Sequence, residues 1–202
     1  MAGETRRAAG RRTAPPPAGH CQPAGRIQLA CSNRQRVLPV RVADLKRLVT
    51  AAIRELRVPA AELSLTIVDD AEIADLHDRW LGIPGPTDVI TFDLGPAASL
   101  ALSTKTATIS SQLNGEIIAS AETARREANR YHWQPEYELA YYFVHGLLHL
   151  CGFDDRSPSL RRAMRRRERQ VMEAIGLPAP PRRLPAVPRR RWATSSPSSR
   201  TP

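Results

Sequence analysis

Two histidines four residues apart, His145 and His149, lie in the stretch VHGLLHLCGFDD (Val144 to Asp155), within an apolar segment that opens at Pro135 and stops at Gly152. A helix turns 3.6 residues per turn, so an i,i+4 pair shares one face about a turn apart. Two imidazoles so arranged can grip one metal ion, and a strong donor just past the helix end can complete the set. Gly152 can supply the left-handed residue that turns the chain back. Asp155, six residues after His149, is then positioned to return a carboxylate to the same ion. The pattern His-x3-His-x5-Asp predicts three protein ligands and a fourth position open to water. The competing reading is two core histidines and a solvated aspartate; the pair, the glycine stop and the following acid together favour the metal. A carboxylate in the set also admits manganese, iron or nickel. Cys151 lies alongside, but at an apolar helix end it reads as a packed residue rather than a ligand.

The elements that must position these groups follow from periodicity. Arg26–Cys31 alternates as a first strand. Between Arg41 and Leu56 apolar residues recur at helical spacing, and Val58-Pro59 ends that helix. Glu62–Val68 is a β-branched, alternating strand. Asp69 followed by Glu72 reads as a helix N-cap with an acid at the third helical position, opening a helix to about Leu81 with Ile73, Leu76 and Trp80 on one face. Gly82–Pro86 is a loop. Asp88–Leu94 and Leu113–Ser120 are strands that pair as a hairpin, joined by a long, mobile, Ala/Ser/Thr-rich connection from Gly95 to Gln112. Ser120 caps a helix over Ala121–Tyr131, and Pro135 begins the histidine helix. That helix is apolar nearly all round, which predicts burial on most sides. Gly146 inside it costs about 1 kcal/mol relative to Ala, so another backbone or a substrate must approach closely there. Pro158–Ile175 is a final helix crowded with Arg161, Arg162, Arg165, Arg166, Arg167 and Arg169. It reads either as a solvated face or as a phosphate-contacting surface near the metal. The order β-α-β-α-β-β-α-α-α predicts an α+β domain, a small four-stranded mixed sheet packed with about five helices.

The chain has 202 residues, a formal charge of +10 and 42% hydrophobic residues, which suits one domain with extensions. The basic excess sits in the ends: residues 1–25 and 177–202 are Pro- and Arg-rich and are predicted to be disordered, whereas 26–176 is nearly neutral. Such ends can hold polyanions non-specifically. Three cysteines without a C-x-x-C pair argue against a disulfide framework and for a reducing cytoplasm. The arginine-bearing N-terminus lacks an apolar signal region, and the longest apolar run is too short to span a bilayer, so a soluble, cytoplasmic protein without a membrane partner is expected.

HGLLHLCGFDD closely resembles the histidine signature of the YbeY family of bacterial endoribonucleases. PTDVITFDL (Pro86–Leu94) and GEIIAS (Gly115–Ser120) are similar to two further segments of that family, in the same order. The resemblance spans roughly residues 26–176. It implies a zinc-dependent, hydrolase-like fold with a metzincin-like ligand arrangement and one zinc per chain. It also implies single-strand-specific RNA cleavage in late 16S rRNA 3′-end maturation and ribosome quality control, with ribosomal RNA and the small ribosomal subunit and its proteins as partners. His145 and His149 carry over as the first two zinc ligands. The third family ligand is a histidine at the position of Asp155, and aspartate oxygen is an acceptable zinc donor. A functional arginine of the family falls at Leu81, two residues from Arg79, and Thr91 and Asp93 replace a Ser and a Pro common in that strand.

Zinc with an open position lowers the pKa of bound water toward ~7 and polarises a phosphoryl oxygen. Arg79 or Arg156 would stabilise charge on the phosphate, and Arg156, Arg161 and Arg165 would contact RNA; Asp154 and His77 are the candidates to protonate the leaving group, against the alternatives that Asp154 caps a turn and His77 is a surface helix residue. Thr87 and Asp88 either shape the cleft or form a loop-to-strand turn. Two other readings stand beside the nuclease. A zinc metalloprotease fits the ligand spacing but has Gly146 where the general-base glutamate belongs. A non-catalytic, zinc-containing ribosome-assembly factor fits the changes at residues 81 and 155.

Overall fold

A computed structural model describes residues 26–95 and 112–181. The predicted disorder of 1–25 and of 182–202, and most of the predicted 95–112 connection, lie outside the described residues. Nine elements follow the predicted order: β1 (Ile27–Asn33), α1 (Val42–Glu55), β2 (Ala61–Val68), α2 (Asp70–Leu81), β3 (Val89–Asp93), β4 (Leu113–Ser120), α3 (Ala121–Arg130), α4 (Pro135–Leu150) and α5 (Pro158–Ala174). The fold is α+β, a four-stranded mixed sheet with five helices. Strand order is β1-β2-β4-β3. β1 and β4 flank β2 in parallel, with Ile27 opposite Ala61 and Ala61 opposite Leu113. β3 runs antiparallel to β4 on the edge, as the predicted hairpin requires.

Strand alternation sends residues two apart to the same face, and the register fixes which. Leu63, Leu65 and Ile67 of β2 and Gly115, Ile117 and Ala119 of β4 share one face with Val89, Thr91 and Asp93 of β3. The main core packs against that face, drawing Val49 and Ile53 from α1, Tyr142, Phe143 and Leu147 from α4, and Met164, Val171 and Met172 from α5. The opposite face carries a small second cluster, Val68, Ile73, Ile90 and Ile118, under α2. Trp80 departs from expectation: it is 63% exposed, not seated on the sheet with Ile73. Its ring meets Phe92 edge-on at 5.9 Å, so it covers the rim of the second cluster from outside.

Caps form where the sequence places them. The Asp69 side chain accepts from the Glu72 N–H at 2.8 Å, but the Glu72 carboxylate pairs with Arg34 instead of closing a reciprocal box. Ser120 accepts from the Thr123 N–H and donates to Asp70 Oδ1, which also accepts from the Thr123 hydroxyl; Arg126 pairs with Asp70 Oδ2. One carboxylate thus ties the start of α2 to the start of α3. Burial works to raise the pKa of Asp70, but the hydrogen bonds from Ser120, Thr123 and Arg126 outweigh it and hold the group below its ordinary value.

Candidate metal centre

α4 begins with Pro135 at its first turn and ends in a double hydrogen bond: the Gly152 N–H reaches the His149 carbonyl at 2.8 Å and the Phe153 N–H the Leu148 carbonyl at 3.0 Å. Gly152 has φ +81°, the left-handed residue this closure needs. From Glu138 to Leu150 every residue is buried except His145 and His149. Beyond its first turn the helix therefore opens to solvent only at the two imidazoles. Gly146 lets it lie that close to the sheet, because a Cβ there would stand 2.8 Å from both Ile117 Cγ2 and Thr91 Oγ1. The close approach anticipated at this glycine is made by side chains of β4 and β3, not by a second backbone or a substrate. A glutamate at position 146 would drive into the same two residues, so the protease base has neither its side chain nor a place for one.

The two rings meet edge to face, with Nε2 atoms 3.1 Å apart. Each Nδ1 is occupied on the other side, His145 by Glu168 Oε1 at 2.7 Å and His149 by the Phe153 carbonyl at 3.1 Å. A carbonyl oxygen only accepts, and a carboxylate accepts when ionised, so both Nδ1 atoms carry the hydrogen and, with both rings neutral, both Nε2 atoms present lone pairs. Two lone pairs facing each other at this distance repel unless a proton or a metal ion lies between them. Two nitrogens bound to one tetrahedral zinc at about 2.0–2.1 Å would be separated by roughly 3.3 Å, close to the separation observed. Burial first, then His145, holds the His149 pKa below its ordinary value, against the pull of Asp155, the Phe153 carbonyl and Asp154.

Asp155 is near enough for its charge to act on His149, but among the described residues no three His, Cys, Asp or Glu side chains are gathered in metal-holding geometry. Its backbone carbonyl accepts from Arg161 Nε at 3.1 Å, which ties its loop to the first turn of α5. Asp154 accepts from the Asp155 and Arg156 N–H groups and pairs with the Arg156 guanidinium at 2.7 Å, and those bonds hold its carboxyl below the usual range. Arg156, Arg161 and Arg165 are exposed on the surface that follows the histidine helix.

Beside the histidines is a cleft of about 380 Å³ lined by Leu81, Asp88, Val89, Ile90, Thr91, Asp93, His145, His149 and Leu150. Asp88 serves both of its expected roles: it lines this cleft, and its Oδ1 accepts from the Thr87 hydroxyl and the Val89 N–H at the start of β3. Arg79 is exposed and not part of the lining, and His77 is held by the Gly85 carbonyl at 2.9 Å, also away from it. Leu81, at the position of the family's arginine, lines the cleft, and among the described residues the lining includes no Lys or Arg. Cys151 is 4% exposed within the main core, and burial pushes its thiol up to about 12, consistent with a packed residue.

Glu168 was missed by the reading of α5 as a charge run. It is 2% exposed and also accepts from the Tyr141 hydroxyl at 3.1 Å. The signal was present: Glu168 stands four residues after Met164 and ahead of Val171 and Met172, an acid inside an apolar stripe, and Tyr141 stands four before His145.

Among the described residues no helix is long and apolar enough to cross a membrane. A solution structure from Thermotoga maritima is 21% identical and aligns over 73% of this chain and 89% of its own, with a TM-score of 0.47. Curated relatives described as endoribonuclease YbeY include one from Desulfitobacterium hafniense, 43% identical over 58% of this chain and 73% of its own. Another, from Caldanaerobacter subterraneus, is 34% identical over 75% of this chain and 99% of its own. The family model described as endoribonuclease YbeY matches residues 30–176, which include the cleft, both histidines and the helix that supports them, and so this chain belongs to the endoribonuclease YbeY family.

Proposed function

We propose that this chain is an endoribonuclease that hydrolyses phosphodiester bonds of single-stranded RNA, with a metal ion held at His145 and His149. Its proposed role is late 16S rRNA 3′-end maturation and ribosome quality control, working on the small ribosomal subunit in the cytoplasm. The family supports RNA cleavage. The observation that carries the metal is the meeting of two Nε2 atoms at 3.1 Å, each ring fixed from behind by an acceptor.

His145 and His149 would hold the ion, with Asp155 as third ligand from the loop that follows Gly152 in a metzincin-like order. Zinc, when bound, supplies Lewis-acid polarisation of a phosphoryl oxygen and acidifies water at neutral pH. The residues of the chain provide the rest. Asp88 and Asp93 give the cleft negative charge and among the described residues no Lys or Arg of its lining offsets it, so a polyanion would depend on the cation and on exposed arginines nearby. Arg156, Arg161 and Arg165, exposed on the surface that follows the histidine helix, would supply phosphate contacts, which position a strand without reading sequence. Leu81 and Leu150 line the apolar part of the cleft.

Elemental analysis and cleavage of a single-stranded RNA, run on the wild type, His149→Ala and Asp155→Ala, test this. Near-stoichiometric zinc and cleavage, both lost in His149→Ala with folding intact, is the expected result. Zinc retained in Asp155→Ala would move the third ligand elsewhere. Zinc without cleavage in the wild type would replace the nuclease by an assembly factor.

A further inference from the structure

We propose that Glu168, backed by Tyr141, is a positioning residue that locks His145 in the tautomer able to bind metal. This rests on the metal reading above but makes claims of its own. Glu168 comes from α5, 23 residues beyond His145, and is 2% exposed. An ionised group there is costly unless well paired, and an apolar side chain of similar size generally serves stability as well or better. Its neighbours on the helix, Met164, Val171 and Met172, are apolar and buried. The carboxylate spends one oxygen on His145 Nδ1 at 2.7 Å and the other on the Tyr141 hydroxyl at 3.1 Å. Tyr141 lies one turn before His145 on α4, with ring centroids 6.0 Å apart. Two helices therefore hold one imidazole through two side chains, Glu168 and Tyr141.

The consequence concerns a single hydrogen. A neutral imidazole carries it on one nitrogen, and the other nitrogen is the ligand. With the Glu168 oxygen at Nδ1 the hydrogen stays there and Nε2 keeps its lone pair. Without that acceptor the nearest partner for His145 is Nε2 of His149 at 3.1 Å. The hydrogen then moves to His145 Nε2 and donates to His149, blocking the atom that must face the metal. His149 has no such vulnerability, because its Nδ1 is bonded to the Phe153 carbonyl, which no side-chain substitution removes.

The test uses full-length protein as wild type, Glu168→Leu, Glu168→Gln and Tyr141→Phe. Zinc affinity is measured by competition with a chromophoric chelator, and the two ring nitrogens of His145 are assigned by long-range proton–nitrogen NMR. Loss of an orienting group typically lowers metal affinity 10–100-fold. Glu168→Leu is expected in that range, with His145 shifted to the Nε2–H form. Glu168→Gln keeps an acceptor oxygen and should recover most of the affinity, and Tyr141→Phe should weaken zinc only a few-fold. Zinc affinity of Glu168→Leu within twofold of wild type, or Glu168→Gln no better than Glu168→Leu, would overturn the proposal. Should Glu168→Leu fail to fold, the wild type still decides: His145 found as Nε2–H rejects the lock outright. A wild type that takes up no zinc yet shows His145 as Nδ1–H defeats the metal reading and leaves the lock standing.

Discussion

Replacing Gly146 by alanine sets two effects of opposite sign against each other. Alanine is favoured over glycine inside a helix by about 1 kcal/mol. The new Cβ, however, would stand 2.8 Å from Ile117 Cγ2 and 2.8 Å from Thr91 Oγ1, where ordinary contacts begin near 3.4 Å. Relief needs a shift of roughly 0.6 Å at two points at once. Neither neighbour yields easily, because both atoms sit on β-branched side chains stiff at χ1, and the two residues are register partners on β3 and β4. Overpacking of this kind costs about 1–3 kcal/mol, and two stiff contacts put the cost in the upper part of that range. The net expectation is that Gly146→Ala loses about 1–2 kcal/mol, read as a lower urea midpoint at unchanged slope. Ala51→Gly, at an exposed position of α1, calibrates the helix term and should lose about 1 kcal/mol. A Gly146→Ala protein as stable as wild type would refute the close packing of α4 on the sheet, and with it the account of why the histidines stand beside Thr91.

Other perturbations test other parts. Asp70→Asn should cost about 1–3 kcal/mol at pH 7 through weakened bonds to Ser120, Thr123 and Arg126. Because the folded pKa is depressed, that stability is present above the unfolded value and lost as pH falls through the folded one. The gap between wild type and variant should therefore close below the ordinary aspartate range in acid titrations of stability. Trp80→Ala should cost about 0.5–1.5 kcal/mol, the scale of one edge-on aromatic contact, rather than the roughly 3–5 kcal/mol of a buried tryptophan. In a Cys21→Ser background, a thiol reagent should label Cys31, half-buried and free, well before Cys151, which should react only on unfolding.

The histidine helix was legible because every signal for it is local: Pro135 at its start, apolar residues round its circumference and Gly152 at its stop. The same holds for Ser120 and Asp69, whose caps depend on backbone three residues away. What escaped depends on contacts distant in sequence. Trp80 has the spacing of a core residue, but the second cluster is small and Phe92 already fills its rim. Glu168 was hidden by six arginines that made α5 look solvated, and its partner His145 stands 23 residues away. For Asp155, a glycine turn directs the chain back toward the histidines, but where the carboxylate comes to rest is set by the loop from Phe153 and its tie to Arg161, which spacing does not encode.

The strand order has a kinetic consequence. β2 is the middle of three parallel strands, and its pairing with β4 joins residues 52 apart, as Ser64 and Glu116 illustrate. Even the antiparallel pair brings Val89 to Ala119 across a long connection. β1 and β2 are joined through α1, and β2 and β4 pair across 52 residues, so these pairings meet loop-closure entropy before any contact rewards it. Assembly of the sheet is accordingly slow compared with formation of its helices, and α4, apolar over most of its circumference, must wait for the surface it covers. During that interval its exposed side chains are the chain's main aggregation hazard. The burial that covers α4 from Glu138 onward, its two imidazoles apart, is thus also what makes the route to the native state sensitive to concentration and temperature.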